Sequence, residues 1–287
     1  LTLLSMTPEH EIGIVEMGAN HLKEIEFLCS ICEPDFGYIT NFGKAHLEGF
    51  GSLEGVILGK SELYTFLKKN NKIAFVNLED KIQIDKTKNI ETVFINNKHL
   101  SLVDVNPFVK ILYNKIDIQS NLVGKYNFAN IAAAITIGAY FKVYKTHIKE
   151  AIESYIPKNN RSQIIETKTN KIVLDAYNAN PSSMQVALEN FAAIPSEQKT
   201  IILGDMFELG TESLVEHQAI IDLADSFNFE NQYFVGENFN QTKTDKNQFK
   251  TYRDLYNYIK KNPLENQSIL IKGSRGMSLE RILEIII

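Results

Sequence analysis

The stretch Ile172-Val-Leu-Asp-Ala-Tyr-Asn-Ala-Asn-Pro-Ser-Ser-Met184 joins a short apolar run to a helical pattern through a polar turn. The same unit recurs further along, where Thr200-Ile-Ile-Leu-Gly204 precedes a helical pattern over residues 214–227. Short β-branched strands that alternate with longer helices favour a parallel sheet covered by helices. We therefore predict an α/β fold that ends in a Rossmann-like domain.

The first half of the chain follows the same rhythm. The polar stretch Pro157-Lys-Asn-Asn160 is the best candidate linker, so we predict one domain over residues 1–156 and a second over residues 157–287. The pattern between residues 91 and 122 favours shorter strands, of which antiparallel pairing is one arrangement. The remaining predicted elements are strands over residues 12–16, 36–40, 73–77, 232–235 and 268–272, helices over residues 22–32, 53–69, 127–141, 182–193 and 252–261, and a glycine-rich loop over residues 43–51.

Composition excludes several classes of protein. With 287 residues, 44% hydrophobic and 23% charged, the chain is long enough for two folded domains and is not disordered. Its formal net charge of -5 argues against a nucleic-acid partner. The most apolar stretch, residues 131–141, is too short to cross a bilayer, so we predict no membrane insertion. The cysteines, Cys29 and Cys32, suit a reducing, cytoplasmic location.

Polar residues at strand ends are the candidate site residues, because ligands bind beyond the carboxyl ends of the strands of open α/β sheets. Glu16 ends the first predicted strand, and Asn41 and His46 follow the second. A magnesium ligand and a helix cap are equally compatible with Glu16 alone, and a lone loop histidine is more often structural. Lys60, on the next predicted helix, is by itself a solvated surface lysine.

Three similar polar segments follow strands of the second domain. They are Asp175-Ala-Tyr-Asn-Ala-Asn-Pro-Ser-Ser-Met184, Gly204-Asp-Met-Phe-Glu-Leu-Gly210 and Lys272-Gly-Ser-Arg-Gly-Met277. Each one alone is ordinary turn chemistry. Three of them at the strand ends of one sheet predict the rim of a common cleft.

Together these motifs resemble the Mur ligases. The resemblance rests on Val15-Glu-Met-Gly-Ala-Asn20, the loop from Thr40 to Ser52 with Lys60-Ser-Glu-Leu63, Gly124-Lys-Tyr-Asn-Phe-Ala-Asn130 and the three second-domain segments, in the family's order over almost the whole chain. It implies a central ATPase domain, with a mostly parallel sheet between helices, followed by a Rossmann-like domain. Within the family, the second-domain segments resemble those of the member that adds D-alanyl-D-alanine to UDP-N-acetylmuramoyl-tripeptide.

The resemblance also implies the chemistry. ATP phosphorylates the peptide carboxylate, and the dipeptide amine attacks the resulting acyl phosphate. Glu16 and His46 match magnesium ligands, and Lys60 matches a lysine that carbon dioxide carbamylates, so that it can hold a second magnesium ion. A monomer that works by domain closure is implied as well.

Asn41, a candidate for binding a cation or the phosphates of the nucleotide, belongs to the same sheet edge as Glu16 by its place after the second predicted strand. The remaining site residues come from the resemblance. Asn127 matches a contact to adenine, Asp175 a contact to the ATP ribose, and Arg161 an arginine that reaches the phosphates. Asn178 and Asn180 are expected near the dipeptide or the reacting centre.

The departure from the family lies at the start of the chain. No Gly-Lys-Ser or Gly-Lys-Thr follows a predicted strand and a glycine-rich loop, because Gly59-Lys60-Ser61 falls within a helix. We therefore expect a chain truncated at its N-terminus, without the phosphate-binding loop and the UDP-sugar domain, and inactive as an isolated fragment. Two alternatives remain: another Mur ligase, such as one that adds a diamino acid, or a non-catalytic binding module. Against the former, the Asp-Asn-Pro-Arg motif of many diamino-acid ligases is absent.

Overall fold

A computed structural model describes residues 2–95, 99–158 and 160–287. It divides into two compact units, residues 1–97 and residues 98–287, each of which is treated by itself below. The domain boundary predicted between residues 156 and 157 lies inside the second unit and stays a prediction. Within the described residues, no helix is long and apolar enough to cross a membrane.

The first unit is built on a small parallel sheet. Its strands lie in the order β1-β2-β3, and the helix that follows the glycine-rich loop contributes Tyr64 and Leu67 to the core beneath them. Gly37 in the first strand allows this close packing, since a Cβ atom there would lie 2.8 Å from the Leu67 side chain. The elements are β1 (Phe36–Tyr38), β2 (Ile73–Asn77), β3 (Glu91–Ile95), α1 (Glu24–Cys32), α2 (Leu47–Phe50), α3 (Leu53–Lys69) and α4 (Lys81–Lys86).

The predicted strand over residues 12–16 is wrong. These residues have no regular secondary structure and pair with no described strand. Ile12 and Ile14 are 49% and 85% exposed. An apolar β-branched run becomes a strand only where a neighbour completes its hydrogen bonds and covers its side chains. In the described structure neither condition is met.

The second unit begins with an antiparallel sheet in the order β4-β5-β6. Alternate residues of the central strand are buried, and Val109, Ile111 and Ile118 pack against Ile131 and Ile135 of the first helix. The antiparallel prediction for residues 91–122 is thus right for these strands, whereas β3 pairs in parallel with β2. The elements are β4 (Leu100–Asp104), β5 (Phe108–Tyr113), β6 (Ile116–Val123), α5 (Asn127–Tyr140) and α6 (Lys145–Ser154).

A six-stranded sheet forms the rest of this unit. Its order is β11-β10-β9-β12-β8-β7, and only β7, at one edge, runs antiparallel to its neighbour. Every residue of β12 is buried, as expected for a central parallel strand covered on both faces. The elements are β7 (Gln163–Glu166), β8 (Lys171–Asp175), β9 (Lys199–Gly204), β10 (Asn231–Val235), β11 (Asn247–Phe249), β12 (Ser268–Lys272), α7 (Pro181–Ala193), α8 (Ser213–Asp225), α9 (Tyr252–Lys261) and α10 (Leu283–Ile286). This sheet confirms the predicted Rossmann-like fold.

Candidate active site

Lys60 lies where two glycines let the glycine-rich loop pack tightly against α3. A Cβ atom at Gly59 would lie 2.4 Å from the Phe50 ring, and one at Gly55 would lie 2.0 Å from the Phe50 carbonyl oxygen. Lys60 Nζ donates a hydrogen bond of 2.8 Å to the carbonyl oxygen of Asn41. Burial disfavours the charged ammonium and lowers the pKa of Lys60 below its ordinary value. Lys60 is therefore not the solvated surface lysine that its position in the sequence suggests.

The other candidate residues of the first unit lie in loops. Glu16 is exposed in the irregular segment before α1. His46 precedes α2 with a left-handed φ of 53°, and its carbonyl oxygen accepts the amide protons of Gly49 and Phe50. Asn41 Oδ1 accepts the amide proton of Gly43 at 3.0 Å. The loop geometry is thus set by local hydrogen bonds to the amides of Gly43, Gly49 and Phe50.

The donor types of Glu16 and His46 can bind a divalent cation, and a carbamylated Lys60 would add the hard oxygen donors that Mg²⁺ prefers. Within the described part of the chain, no three histidine, cysteine or acidic residues are grouped to hold a metal ion.

In the second unit, the predicted convergence of the three strand-end segments is confirmed. They follow β9, β12 and β8, which are adjacent in the sheet. The Ser274 amide donates to the carbonyl oxygen of Asp205 at 3.0 Å, and Ser274 Oγ accepts the amide proton of Phe207 at 2.9 Å. The segments are thus bound to one another at the carboxyl edge of the sheet.

A buried ion pair lies at the centre of this edge. Lys272, 2% exposed, places Nζ 2.6 Å from Asp175 Oδ2 and 3.1 Å from the carbonyl oxygen of Asn178. Asp175 Oδ1 accepts the Ser162 amide proton at 3.0 Å. Sequence reasoning missed Lys272. The signal was present, because a lysine that follows three consecutive apolar strand residues, Ile269 to Ile271, enters the core and needs a carboxylate there.

The predicted asparagines have local structural partners. Asn180 caps α7, where its Oδ1 accepts the Ser183 amide proton at 2.9 Å and Ser183 Oγ accepts the Asn180 amide proton in return. Asn178 is exposed, with Oδ1 on the following amide. Asn127 is buried at the start of α5 and donates to the carbonyl oxygen of Val123 at 2.8 Å. Their expected contacts to substrates stay predictions.

Asp175 also lines a small pocket of about 20 Å³, large enough for roughly one water molecule. Tyr126, Ser162 and Asn190 share this pocket with Asp175, and Tyr126 Oη is hydrogen-bonded to Ser162 Oγ. The Lys125 amide donates to Asn190 Oδ1 at 3.0 Å. The start of α5, which holds the predicted adenine contact, is therefore joined directly to the edge that holds the predicted ribose contact.

Two arginines lie over one tyrosine ring at the same edge. The guanidinium carbon of Arg161 is 4.0 Å from the centre of the Tyr177 ring, and that of Arg275 is 5.3 Å from it. Both arginines are exposed. Sequence reasoning identified Arg161 and missed Arg275, whose proximity to Tyr177 depends on the adjacency of β8 and β12.

A buried histidine supports the loop after β9. His217 is fully buried, its Nε2 accepts the Met206 amide proton at 3.0 Å, and its Nδ1 donates to the carbonyl oxygen of Ser213 at 2.6 Å. Burial lowers the pKa of His217. The ring is neutral because Nε2 accepts one hydrogen bond while Nδ1 donates the other. Asp205 accepts the amide protons of Asn238 and Phe239, both at 2.9 Å. These two residues position the loop.

The class that this architecture defines is an α/β protein with a glycine-rich loop in one unit and charged strand-end segments in the other. Residues 1–138 match the model of the Mur ligase middle domain, and residues 160–275 match that of the Mur ligase glutamate ligase domain. The chain belongs to the Mur ligase family.

Curated relatives and a solved structure cover the chain almost completely. The UDP-N-acetylmuramoyl-tripeptide--D-alanyl-D-alanine ligase of Buchnera aphidicola (Acyrthosiphon pisum) is 31% identical over 99% of this chain and 67% of that protein. Its Escherichia coli counterpart is 28% identical over 98% and 66%. A crystal structure of MurF from Acinetobacter baumannii aligns with a TM-score of 0.83 and 25% identity over 98% and 66% of the two chains. The chain thus spans about two thirds of the length of the relatives that it matches.

Proposed function

We propose that the protein acts as an ATP-dependent amide ligase that joins D-alanyl-D-alanine to UDP-N-acetylmuramoyl-tripeptide in peptidoglycan precursor synthesis. The observation that carries the proposal is the alignment of nearly the whole chain with ligases of that name, together with the half-buried Lys60 on α3, beside the glycine-rich loop. Transfer of the ATP γ-phosphoryl group to the peptide carboxylate creates a good leaving group. The dipeptide amine then displaces phosphate and forms the amide.

The environment of Lys60 supports carbamylation. Only a neutral amine can attack carbon dioxide, and burial lowers the pKa of this lysine. The Nζ lone pair forms a bond to the carbon of carbon dioxide, and a proton leaves to solvent, so that a cation is replaced by a carboxylate. Glu16, His46 and the modified Lys60 would hold Mg²⁺, two ions in all, which offset the repulsion between ATP and the carboxylate.

The second unit would supply the other polar contacts. Arg161 carries an exposed guanidinium suited to a phosphate. Asn127 lies at the start of α5 and Asp175 at the sheet edge to which that start is hydrogen-bonded, and there they would contact adenine and ribose. Asn41 would contribute to the nucleotide-binding edge of the first unit. Asn178, whose carbonyl oxygen accepts from Lys272, and Asn180, which caps α7, would lie near the dipeptide or the reacting centre.

The test is phosphate release from ATP by the full-length gene product with UDP-N-acetylmuramoyl-tripeptide, in the presence and absence of D-alanyl-D-alanine. We expect release that depends on the dipeptide and falls at least 100-fold in Lys60→Ala. Lys68→Ala, in the last turn of the same helix, is the matched control and should retain activity. ¹³C NMR with labelled bicarbonate should show a carbamate signal that Lys60→Ala lacks. Release that favours a diamino acid over the dipeptide would support the other ligase, and no release would support the non-catalytic module.

The same proposal includes that the protein is a monomer in the cytoplasm and that its domain boundary lies between residues 156 and 157. The division is supported by the gap between the two matched family models, which end and begin at residues 138 and 160. Size-exclusion chromatography with light scattering would test the monomer, and limited proteolysis would test the boundary. Cleavage confined to residues near 97 instead would contradict it.

A further inference from the structure

Arg161 and Arg275 both lie over the Tyr177 ring, which brings two positive charges close together. Two guanidinium groups lie within 4.0 and 5.3 Å of one ring centre. Neither forms an ion pair with any residue that the structure describes. The nearby carboxylate of Asp175 is already paired with Lys272 at 2.6 Å. Two uncompensated cations at one sheet edge attract anionic groups of a ligand.

An apolar surface adjoins Arg275. Phe207, 43% exposed, lies against Gly276, where a Cβ atom would be 2.7 Å from Phe207 Cε2. The Phe207 amide donates to Ser274 Oγ, so the aromatic residue is fixed to the same segment that carries the arginine. A half-exposed phenylalanine held beside a guanidinium favours a ligand that is apolar next to its negative charge.

We propose that Arg275 and Phe207 form the subsite for the carboxyl-terminal residue of the dipeptide, with Arg275 on the carboxylate and Phe207 against the methyl group. This assignment rests on the proposed ligase function. The phosphates of ATP share the anionic chemistry, but they offer nothing to the apolar ring beside Arg275. Arg161 also lies over the Tyr177 ring but has no exposed phenylalanine beside it among the described contacts, so it suits a phosphate.

The experiment compares D-alanyl-D-alanine with its C-terminal amide, D-alanyl-D-alaninamide, as substrates of the full-length gene product. We expect the unmodified protein to prefer the acid by about 10- to 100-fold in kcat/KM, since a charge-assisted contact is lost with the amide. Arg275→Gln should reduce this preference to within about 3-fold and leave the KM for ATP unchanged. Phe207→Ala should weaken acid and amide alike.

Arg281→Gln is the matched control. Arg281 is also exposed and lies over a tyrosine ring, that of Tyr252, at 4.1 Å. Its removal should preserve the preference for the acid. A preference that survives Arg275→Gln, or a rise in the KM for ATP in place of that for the dipeptide, would overturn the assignment.

The subsite can be tested even if the protein has no ligase activity. If the unmodified protein shows no turnover with the dipeptide, saturation-transfer NMR with D-alanyl-D-alanine and its amide measures the subsite directly. Weaker binding of the acid to Arg275→Gln than to Arg281→Gln would then support the carboxylate subsite without the ligase reaction. Equal binding to both variants would refute it.

Discussion

Replacement of Lys272 by methionine tests whether the buried ion pair holds the carboxyl edge of the six-stranded sheet together. Lys272 is 2% exposed, and its ammonium contacts both Asp175 and the carbonyl oxygen of Asn178. Removal of one partner from a buried pair costs about 3–5 kcal/mol, because the other charge is left uncompensated. Asp175 is 18% exposed and keeps the Ser162 amide, so we expect the lower end, about 3 kcal/mol.

The assay is hydrogen exchange of the amides of β8 and β12, which reports the opening of this sheet alone. A loss of about 3 kcal/mol corresponds to exchange that is about 150-fold faster. Lys149→Met is the control, since its pair with Glu153 is about one third exposed and is worth at most about 1 kcal/mol. The double variant Lys272→Met with Asp175→Leu should recover most of the loss. If Lys272→Met exchanges no faster than Lys149→Met, the pair does not stabilise this edge.

Three further changes test the supports of the site. The pKa of His217 in the folded state lies below its ordinary 6.5, so the unfolded state binds the proton first and stability falls as the pH drops below about 6.5. His217→Gln should remove this pH dependence from melting curves recorded between about pH 7.5 and 5.5. A pH dependence that persists in the variant would contradict the assignment of a neutral buried ring. Asn180→Ala removes the cap of α7 and should cost about 1 kcal/mol in urea unfolding, whereas Asn180→Asp should be close to neutral; equal losses would argue against capping. Gly236→Ala should destabilise by at least about 2 kcal/mol, because φ is +128° and the new Cβ would lie 2.2 Å from Asp205 Cγ; tolerance would show that this loop can shift.

The helices and central strands could be predicted because their local signals agree with their packing. The helical pattern over residues 53–69 matches α3 with the same bounds, and the strand predicted over residues 73–77 matches β2. The short edge strands β7 and β11 were missed, since three or four residues carry little periodicity. The amphipathic α6 was missed as well, because it is polar on average. Residues 12–16 show the opposite case, in which a strong local signal has no partner strand.

The candidate site likewise contains features that the sequence predicts and features that it does not. Sequence placed the three polar segments at strand ends, and the adjacency of β9, β12 and β8 then brought them together. The sequence could not show that Arg275 and Arg161 lie over the same ring, that of Tyr177, because the two arginines are more than a hundred residues apart along the chain. Nor could it distinguish an exposed Lys60 from a half-buried one, since that depends on how closely two glycines let Phe50 approach.

By itself, the sequence determined the α/β class, the order of the elements and the residue types at the sheet edges, because periodicity and turn chemistry act over a few residues. Tertiary structure decided which charges are compensated. Lys272 and Asp175 neutralise each other in the interior, whereas Arg161 and Arg275 remain available to a ligand. Electrostatic energy depends on distance in space and on burial, and both are set only when distant strands become neighbours.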